Sequence, residues 1–343
     1  MGIFSWLFNR PKAVKSDSAA KHQPAQAQSQ VAQPDLQVTP QIRRDKHFLR
    51  VDSLSFSGVY QLSKSKKWAI AWRDSDPSTG RGGHRDSGLG AYVLADLSSG
   101  TVSCHGGMPR PNNGCVSDTG AFSLEDRHFG SSLSGTFSVF DRNGALIFSK
   151  DLTANIFTSG VSKHGKYAFC ATANSPTDHG NKVFLFDLVN RVEMYSVTPK
   201  AGWPDSYEVD ESTGELMVLF KDMGSFRYNV HGQFIDADQL GDANLNSSRY
   251  DRIILAAEKI LGEGDLTDER TLEVLTAVRR ARTLGADENP AWRPTALKVQ
   301  GLAHEQLGQY PEAVRVYEEA LALNPKIGVK RRLASVSKRI KAE

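Results

Sequence analysis

The chain of 343 residues is long enough for two folded domains, since a domain usually spans about 100 to 200 residues. Its 39% hydrophobic and 24% charged residues are ordinary for a globular protein, and a formal net charge of +3 is too small to indicate nucleic acid as a partner. Three cysteines exclude a disulfide scaffold and favour a reducing compartment, so we expect a cytoplasmic protein.

The first residues combine a short apolar run with the cations Arg10 and Lys12. The apolar members of the run are Ile3, Phe4, Trp6, Leu7 and Phe8. It is too short for the core of a signal peptide or for a membrane span. One interpretation is peripheral contact with the inner membrane surface, where apolar groups enter the interface and cations meet anionic headgroups. The alternatives are a frayed terminus and a short docking peptide.

Residues 13–44 are dominated by Gln, Ala, Pro and Ser and contain few large apolar side chains. Such a segment buries too little apolar surface to offset the entropy that is lost on ordering. We therefore expect residues 1–44 to form a disordered tail that carries the short amphiphilic segment at its start.

Between about residues 45 and 242, short runs of β-branched and aromatic residues are separated by turn-forming residues. Turns that follow an apolar strand begin at Asp96, Asp141, Asp187 and Asn229, which lie 45, 46 and 42 residues apart. A second turn keeps the same phase at residues 63–68, 117–122, 162–167 and 210–216. The repeated pattern predicts an all-β domain of about four small antiparallel sheets that stack to bury their faces.

This region resembles β-propeller blades of the WD40-like or quinoprotein-like kind, and the resemblance lies in the period and in the placement of the turns. It implies sheets arranged radially, and residues 47–51 or 54–60 could add the strand that closes the ring. An open, curved stack of sheets is the structural alternative.

Beyond Gly241 the apolar residues adopt helical spacing. Ile253, Ile254, Ala257, Ile260 and Leu261 predict a first helix that Gly262 ends. A second helix is expected to begin after Thr267 as N-cap and to stop at Gly285, and the two should form an antiparallel pair.

The strongest motif follows in the spacing of Leu297, Gly301, His304, Gly308, Tyr310, Ala313, Tyr317, Ala320 and Pro325. These residues resemble a tetratricopeptide repeat, which folds as a hairpin of two helices. Gly301, Ala313 and Ala320 are small enough to let the two helices approach closely, and Tyr317 would fill the space between them. We expect a tetratricopeptide-like helical domain over residues 243–343.

A last helix is expected after Pro325, with an apolar stripe of Val329, Leu333, Val336 and Ile340. Its other faces carry the cations Lys330, Arg331, Arg332, Lys338, Arg339 and Lys341. A solvated cap at the end of the repeats is the preferred interpretation, and binding of phosphate or an acidic protein is the alternative.

The resemblance to tetratricopeptide repeats implies that partner contacts come from the inner face of the first helix of the repeat. The matching positions in this sequence are Thr295, Lys298, Leu302, Glu305 and Gln306. A groove of this kind takes a helix or an extended peptide. The resulting hypothesis is a non-catalytic adaptor or scaffold with a protein or peptide as partner, without cofactor or metal.

The competing hypothesis is a ligand-binding or enzymatic propeller with its site near the glycine-rich insertion at residues 73–90. Its candidate residues are Asp74, Asp76, His84 and Asp86. The insertion lacks the Gly-Lys-Ser/Thr ending of a phosphate-binding loop. Thr79 and Arg85 stand where a calcium loop needs Gly and Glu.

Overall fold

The computed structural model describes residues 41–80, 82–130, 133–264 and 266–341. The amphiphilic N-terminal segment and most of the predicted tail lie outside these residues. Contacts between Cα atoms divide the described chain into two compact units. One unit contains residues 41–220 and 225–235, and the other contains residues 221–224 and 236–341.

The first unit consists of four antiparallel sheets within the described residues, each built from consecutive strands. The first sheet contains β1 (Ile42–Arg44), β2 (Phe48–Val51), β3 (Phe56–Leu62), β4 (Trp68–Arg73), β5 (Gly90–Asp96) and β6 (Thr101–Met108). The second contains β7 (Pro111–Val116), β8 (Phe122–Arg127), β9 (Gly135–Phe140) and β10 (Leu146–Leu152). The third contains β11 (Ile156–Val161), β12 (Tyr167–Thr172), β13 (Val183–Asp187) and β14 (Val192–Val197). The fourth contains β15 (Ser206–Asp210), β16 (Glu215–Phe220) and β17 (Gly224–Tyr228). This order confirms the predicted propeller-like stack of about four small sheets.

Apolar side chains from neighbouring sheets bury the faces of the stack. Trp72 and Leu94 of the first sheet pack with Phe122 and Phe140 of the second, whose ring centroids are 5.1 Å apart. The second and third sheets share another core, in which Phe137 stacks on Phe186 at a centroid distance of 5.7 Å. A single sheet would leave this apolar face exposed to water, so burial of the faces between neighbouring sheets stabilises the unit.

The repeated turns between the first two long strands of successive sheets are bonded to one another. The Ser65 amide donates to Asp118 Oδ1 at 2.7 Å, and the Asp118 amide donates to Lys163 O at 2.7 Å. Ser162 Oγ then donates to Glu211 Oε1 at 2.5 Å. The turns therefore link the first sheet to the second, the second to the third and the third to the fourth.

An ion pair between Lys64 and Glu208 connects the fourth sheet back to the first. Within the turns, Gly165 and Gly214 both have φ of +75°, a conformation that side chains with a Cβ rarely adopt. The backbone conformation of these turns therefore requires glycine at both positions.

The first sheet contains two features that the sequence did not predict. Residues 42–44, which fall in the expected disordered tail, form β1, because Ile42 packs on the core and Arg43 binds both oxygens of Asp52 at 2.7 and 2.8 Å. Residues 47–51 and 54–60, the candidate ring-closing segments, contribute to β2 and β3, which pair with each other and not with the fourth sheet.

The second unit contains the helices α1 (Ala237–Leu245), α2 (Tyr250–Gly262), α3 (Asp268–Ala281), α4 (Arg293–Gln306), α5 (Tyr310–Leu323) and α6 (Lys330–Ile340). Thr267 caps α3 as predicted, since its side chain accepts a hydrogen bond from the Arg270 amide at 3.2 Å. After α3 the residues Arg282–Ala286 form a π-helical turn with Gly285 at φ 116°. Helix α1 was not predicted. It includes residues on both sides of the expected domain boundary between residues 242 and 243, and the boundary itself stays a prediction.

Two larger hydrophobic clusters hold the helices together, and a smaller one, Leu297, Val316 and Ala320, lies between α4 and α5. Ile253, Val274 and Val278 form the centre of the first, between α2, α3 and α4. Tyr317 and Val336 belong to the second, where α4, α5 and α6 meet. The apolar stripe predicted on α6 packs into this second core, with Ile340 at its exposed end (38%).

Candidate partner-binding surface

The hairpin of α4 and α5 is held by the close packing that its sequence predicted. Gly301, Ala313, Tyr317 and Ala320 are all buried, and the Tyr317 ring lies directly against Gly301. A Cβ placed on Gly301 would come within 2.6 Å of Tyr317 Cδ1, which no relaxed structure allows. The absence of a side chain at Gly301 therefore sets the distance between the two helices.

A buried polar chain occupies positions where other repeats carry apolar or aromatic residues. Arg282 donates to Gln300 Oε1 at 2.7 Å, and His304 Nδ1 lies 2.7 Å from Gln309 Oε1. Gln300 Nε2 is 3.4 Å from His304 Nε2, which fits a neutral imidazole that donates through Nδ1 and accepts through Nε2. Burial lowers the pKa of His304, which favours the neutral ring that these hydrogen bonds require.

The inner face of the helical unit is formed by α2, α4 and α6. Lys298 on α4 pairs with Glu258 on α2 at 2.5 Å, and Gln306 Nε2 donates to Leu261 O at 2.9 Å. The later residue on α2, Leu261, contacts the later residue on α4, Gln306, so the two helices run parallel. The structure thereby brings the first helices of successive pairs side by side, as a peptide groove requires.

The other inner-face positions connect α4 to its neighbours. Glu305 accepts hydrogen bonds from the Tyr317 hydroxyl at 2.9 Å and from Arg332 on α6 at 3.2 Å. Burial and the bond to Glu305 raise the pKa of Tyr317. Leu302 and Thr295 are half-buried, and Leu302 contacts both helical cores. The five predicted residues therefore share one face, but four of them also have roles inside the fold.

Sequence reasoning missed Leu255, the most exposed leucine of the helical unit within the described residues, at 56%. It lies one turn before Glu258 on α2, and the parallel packing places that turn beside the start of α4, where Thr295 lies. The pairing of Glu258 with Lys298 joins two helices that are distant in the chain, so no local pattern predicts it. An apolar side chain beside an ion pair is a surface suited to a peptide with mixed side chains.

The acids of the glycine-rich insertion hold the insertion itself. Asp74 accepts from the Gly83 amide at 2.8 Å and pairs with Arg85 at 2.7 Å. Asp76 accepts from the amide and hydroxyl of Ser78 at 2.8 and 2.6 Å, which is a turn cap. The remaining candidates, His84 and Asp86, are exposed. Across the described ranges no group of three or more His, Cys, Asp or Glu side chains is placed to hold a metal ion.

One buried acid between the sheets was not singled out by the sequence. Glu125 is 2% exposed, and it accepts hydrogen bonds from Asn113 Nδ2 at 2.9 Å and Ser159 Oγ at 2.6 Å. Burial raises the pKa of Glu125. The bond to Ser159 joins the second sheet to the third, so this carboxyl group is a structural connection.

The expected membrane contact of Ile3, Phe4, Trp6, Leu7 and Phe8 lies outside the described residues. None of the helices within the described ranges combines the length and the apolar character that a bilayer crossing requires.

Residues 294–327 match the tetratricopeptide repeat family. No curated protein matches the chain. Among solved structures, the β-propeller domain of Cps50 (Swd1) from Myceliophteria thermophila is similar at 11% identity and a TM-score of 0.28, covering 55% of this chain and 68% of that one. The Dos1 propeller is similar at 12% identity and a TM-score of 0.33, covering 53% and 47%.

At TM-scores this low neither likeness bears on fold or function, and the propeller-like arrangement follows from the four stacked sheets themselves. Propeller-like and tetratricopeptide folds are both typical of proteins that bind other proteins. The chain thus combines a propeller-like stack of sheets with a helical unit that contains one tetratricopeptide repeat at residues 294–327.

Proposed function

We propose that the protein is a non-catalytic adaptor that binds a polypeptide through the inner face of α2, α4 and α6. The observation that carries the proposal is the parallel packing of α2 and α4, which places the exposed Leu255 beside the paired Lys298 and Glu258. A partner segment would cover Leu255 and exchange hydrogen bonds with the charged groups around it. Such a segment would be a helix or an extended peptide.

The energetics favour a binding role for this face. Covering an exposed leucine contributes about 1 to 2 kcal/mol, and the ion pairs at the rim select the partner more than they strengthen the complex. Thr295 and Leu302 complete the surface on α4, while Glu305 and Gln306 hold its walls in place. This division of roles fits a preformed groove whose walls do not reorganise on binding.

The contacts made by the acids of the glycine-rich insertion at residues 73–90 support the proposal that the protein is not an enzyme. Asp74 and Asp76 are engaged in a turn cap, an ion pair and backbone hydrogen bonds, and His84 and Asp86 are exposed. A reacting group needs a nearby partner that activates it. The insertion serves better as an ordered surface loop.

We also propose a cytoplasmic location, with peripheral contact at the inner membrane surface through Ile3, Phe4, Trp6, Leu7 and Phe8. The support for the compartment is that Cys104, Cys115 and Cys170 are all free thiols. Burial raises the pKa of Cys104 to about 12, so this thiol stays protonated and unreactive.

Capture of partners by the intact, tagged protein from an extract of its own source tests the binding face. Leu255→Arg places a cation on the apolar spot, and we expect it to reduce the recovered partner by about tenfold or more, since a bound segment would have to bury an unpaired charge. Leu323→Arg is the matched control, because Leu323 is similarly exposed (46%) but lies on α5. Equal recovery with both variants would assign binding to another surface.

A further inference from the structure

The last helix presents to solvent a face that the preceding repeat buries. In α4 the residues Leu297, Gln300, Gly301 and His304 are buried, Leu297 and Gly301 against α5 and Gln300 against Arg282 of the segment after α3. One repeat length further along the chain, the equivalent positions on α6 are Arg331, Ala334, Ser335 and Lys338, and all four are exposed. Within the described residues no helix covers this face. These positions would pack against a second helix in a complete repeat, but here two of them are the cations Arg331 and Lys338.

The charge on this face is one-sided. Helix α6 contains five cations and no acid in the segment Lys330–Ile340. Two of the cations are engaged, since Arg332 pairs with Glu305 at 3.2 Å and the Arg339 guanidinium lies 5.5 Å above the Tyr310 ring. Among the described residues, Lys330, Arg331 and Lys338 make no ion pair. Arg331 and Lys338 are seven residues apart and therefore lie on the same side of the helix, whereas Lys330 is turned about 100° away from Arg331.

The same face excludes a hydrophobic helix as its occupant. Packing an apolar helix against Arg331 and Lys338 would remove both cations from water without a partner, which is strongly unfavourable. A segment with Asp or Glu at those contacts removes that cost, and the small side chains of Ala334 and Ser335 allow its backbone to come close. Charge and shape therefore point to the same kind of occupant.

A membrane surface fits this face less well. Surface-bound amphipathic helices insert their apolar side into the interface. In α6 that side is committed to the protein core, with Val329 1% and Val336 0% exposed. Only electrostatic attraction to lipid would remain, whereas an acidic helix also gains the packing surface between the cations.

We infer that this face of α6, defined by Arg331, Ala334, Ser335 and Lys338, docks an acidic helical segment of a partner protein in the place that a second helix of the repeat would take. The face is distinct from the inner face proposed above for the polypeptide partner, because the equivalents on α6 of Lys298 and Glu305 are Arg332 and Arg339. One chain could hold both segments at once.

The test uses the intact protein and a fluorescent helical peptide of 14 residues, the length of α5, with glutamates one turn apart and alanines between them. Arg331→Ala with Lys338→Ala should weaken its binding by about tenfold or more. Lys259→Ala with Arg279→Ala removes the same charge from exposed positions elsewhere and should change binding less than about twofold. The glutamine version of the peptide should not bind, and raising the salt concentration should weaken the glutamate version.

Each of several results would overturn the inference. No binding of the acidic peptide, or equal loss in both double variants, would leave the face a solvated cap. Equal binding of a proline-interrupted acidic peptide would show that charge alone is recognised and not a helix. Retention on phosphatidylserine vesicles that the Arg331 and Lys338 changes abolish, without peptide binding, would assign the face to a membrane. A dimer in sedimentation that the same changes dissolve would assign it to a second copy of the chain.

Discussion

At the scale of single residues, Gly301 decides how closely α4 and α5 pack. Gly301→Ala would force the new Cβ into the ring of Tyr317, which is fully buried and bonded to Glu305. We expect a loss of about 1 to 3 kcal/mol in the free energy of unfolding, measured by urea denaturation followed by circular dichroism at the helical band.

Gly262→Ala is the matched control for this change. Gly262 ends α2 and is exposed, and a Cβ added there would have no heavy atom within 4 Å. Alanine at this position should therefore be neutral or stabilising by up to about 1 kcal/mol. Equal effects of the two substitutions would contradict the close approach of α4 and α5.

The buried His304 makes stability depend on pH. Burial lowers the pKa of His304 in the folded state, so the unfolded chain binds a proton more readily than the folded protein does. The free energy of unfolding therefore decreases as the pH falls from the ordinary histidine range through the lower pKa of the folded state. Unfolding curves between pH 7 and 5 should show a steeper loss for the native protein than for His304→Gln. His231→Gln, at an exposed turn position, should keep the native slope. A native slope in His304→Gln would contradict the neutral, buried imidazole.

At the scale of elements, the hydrogen bonds between turns hold the sheets in order. Glu211 accepts from Ser162 Oγ at 2.5 Å and from the His164 amide at 2.7 Å, so it joins the third sheet to the fourth. Glu211→Ala leaves both donors without this acceptor and should lower the free energy of unfolding of the β unit by about 1 to 3 kcal/mol. Glu211→Gln keeps a carbonyl oxygen for the same donors and should recover most of the loss. An unchanged transition in Glu211→Ala would show that the turns do not support the stack.

The elements that the sequence predicted are those with local signals. The repeated turns and the apolar runs between them located the four sheets, and Thr267 marked the start of α3. Helix α1 was missed because it has only two buried apolar residues, Leu240 and Leu245. Strand β1 was missed because its three residues depend on pairing with β2.

The candidate face was predicted only in part, for a related reason. The repeat pattern located the α4 positions, since they follow from the spacing within one helix. Whether Lys298 is free depends on Glu258, which lies on a different helix, and the role of Glu305 depends on Arg332 and Tyr317. Contacts between helices of this kind carry no local signature, so Leu255 could be identified only once α2 was seen beside α4.

At the scale of the whole molecule, a propeller-like stack of sheets and a helical unit with a tetratricopeptide repeat occur in one chain. In repeat proteins the buried interfaces between neighbouring repeats supply the stability. We therefore expect substitutions on exposed faces to leave the fold intact, so that a loss of binding in such a variant reports on the binding surface. The central claim is that a partner polypeptide lies along the inner face of α2, α4 and α6.

Photo-crosslinking in the intact protein tests this claim most directly, with a benzophenone side chain placed in turn at Leu255, at Leu323 on α5 and at Leu133 in the loop between β8 and β9. All three leucines are exposed. We predict a crosslinked polypeptide from position 255 that is absent from the other two positions. Crosslinks from position 133 or 323 without any from position 255 would contradict the claim.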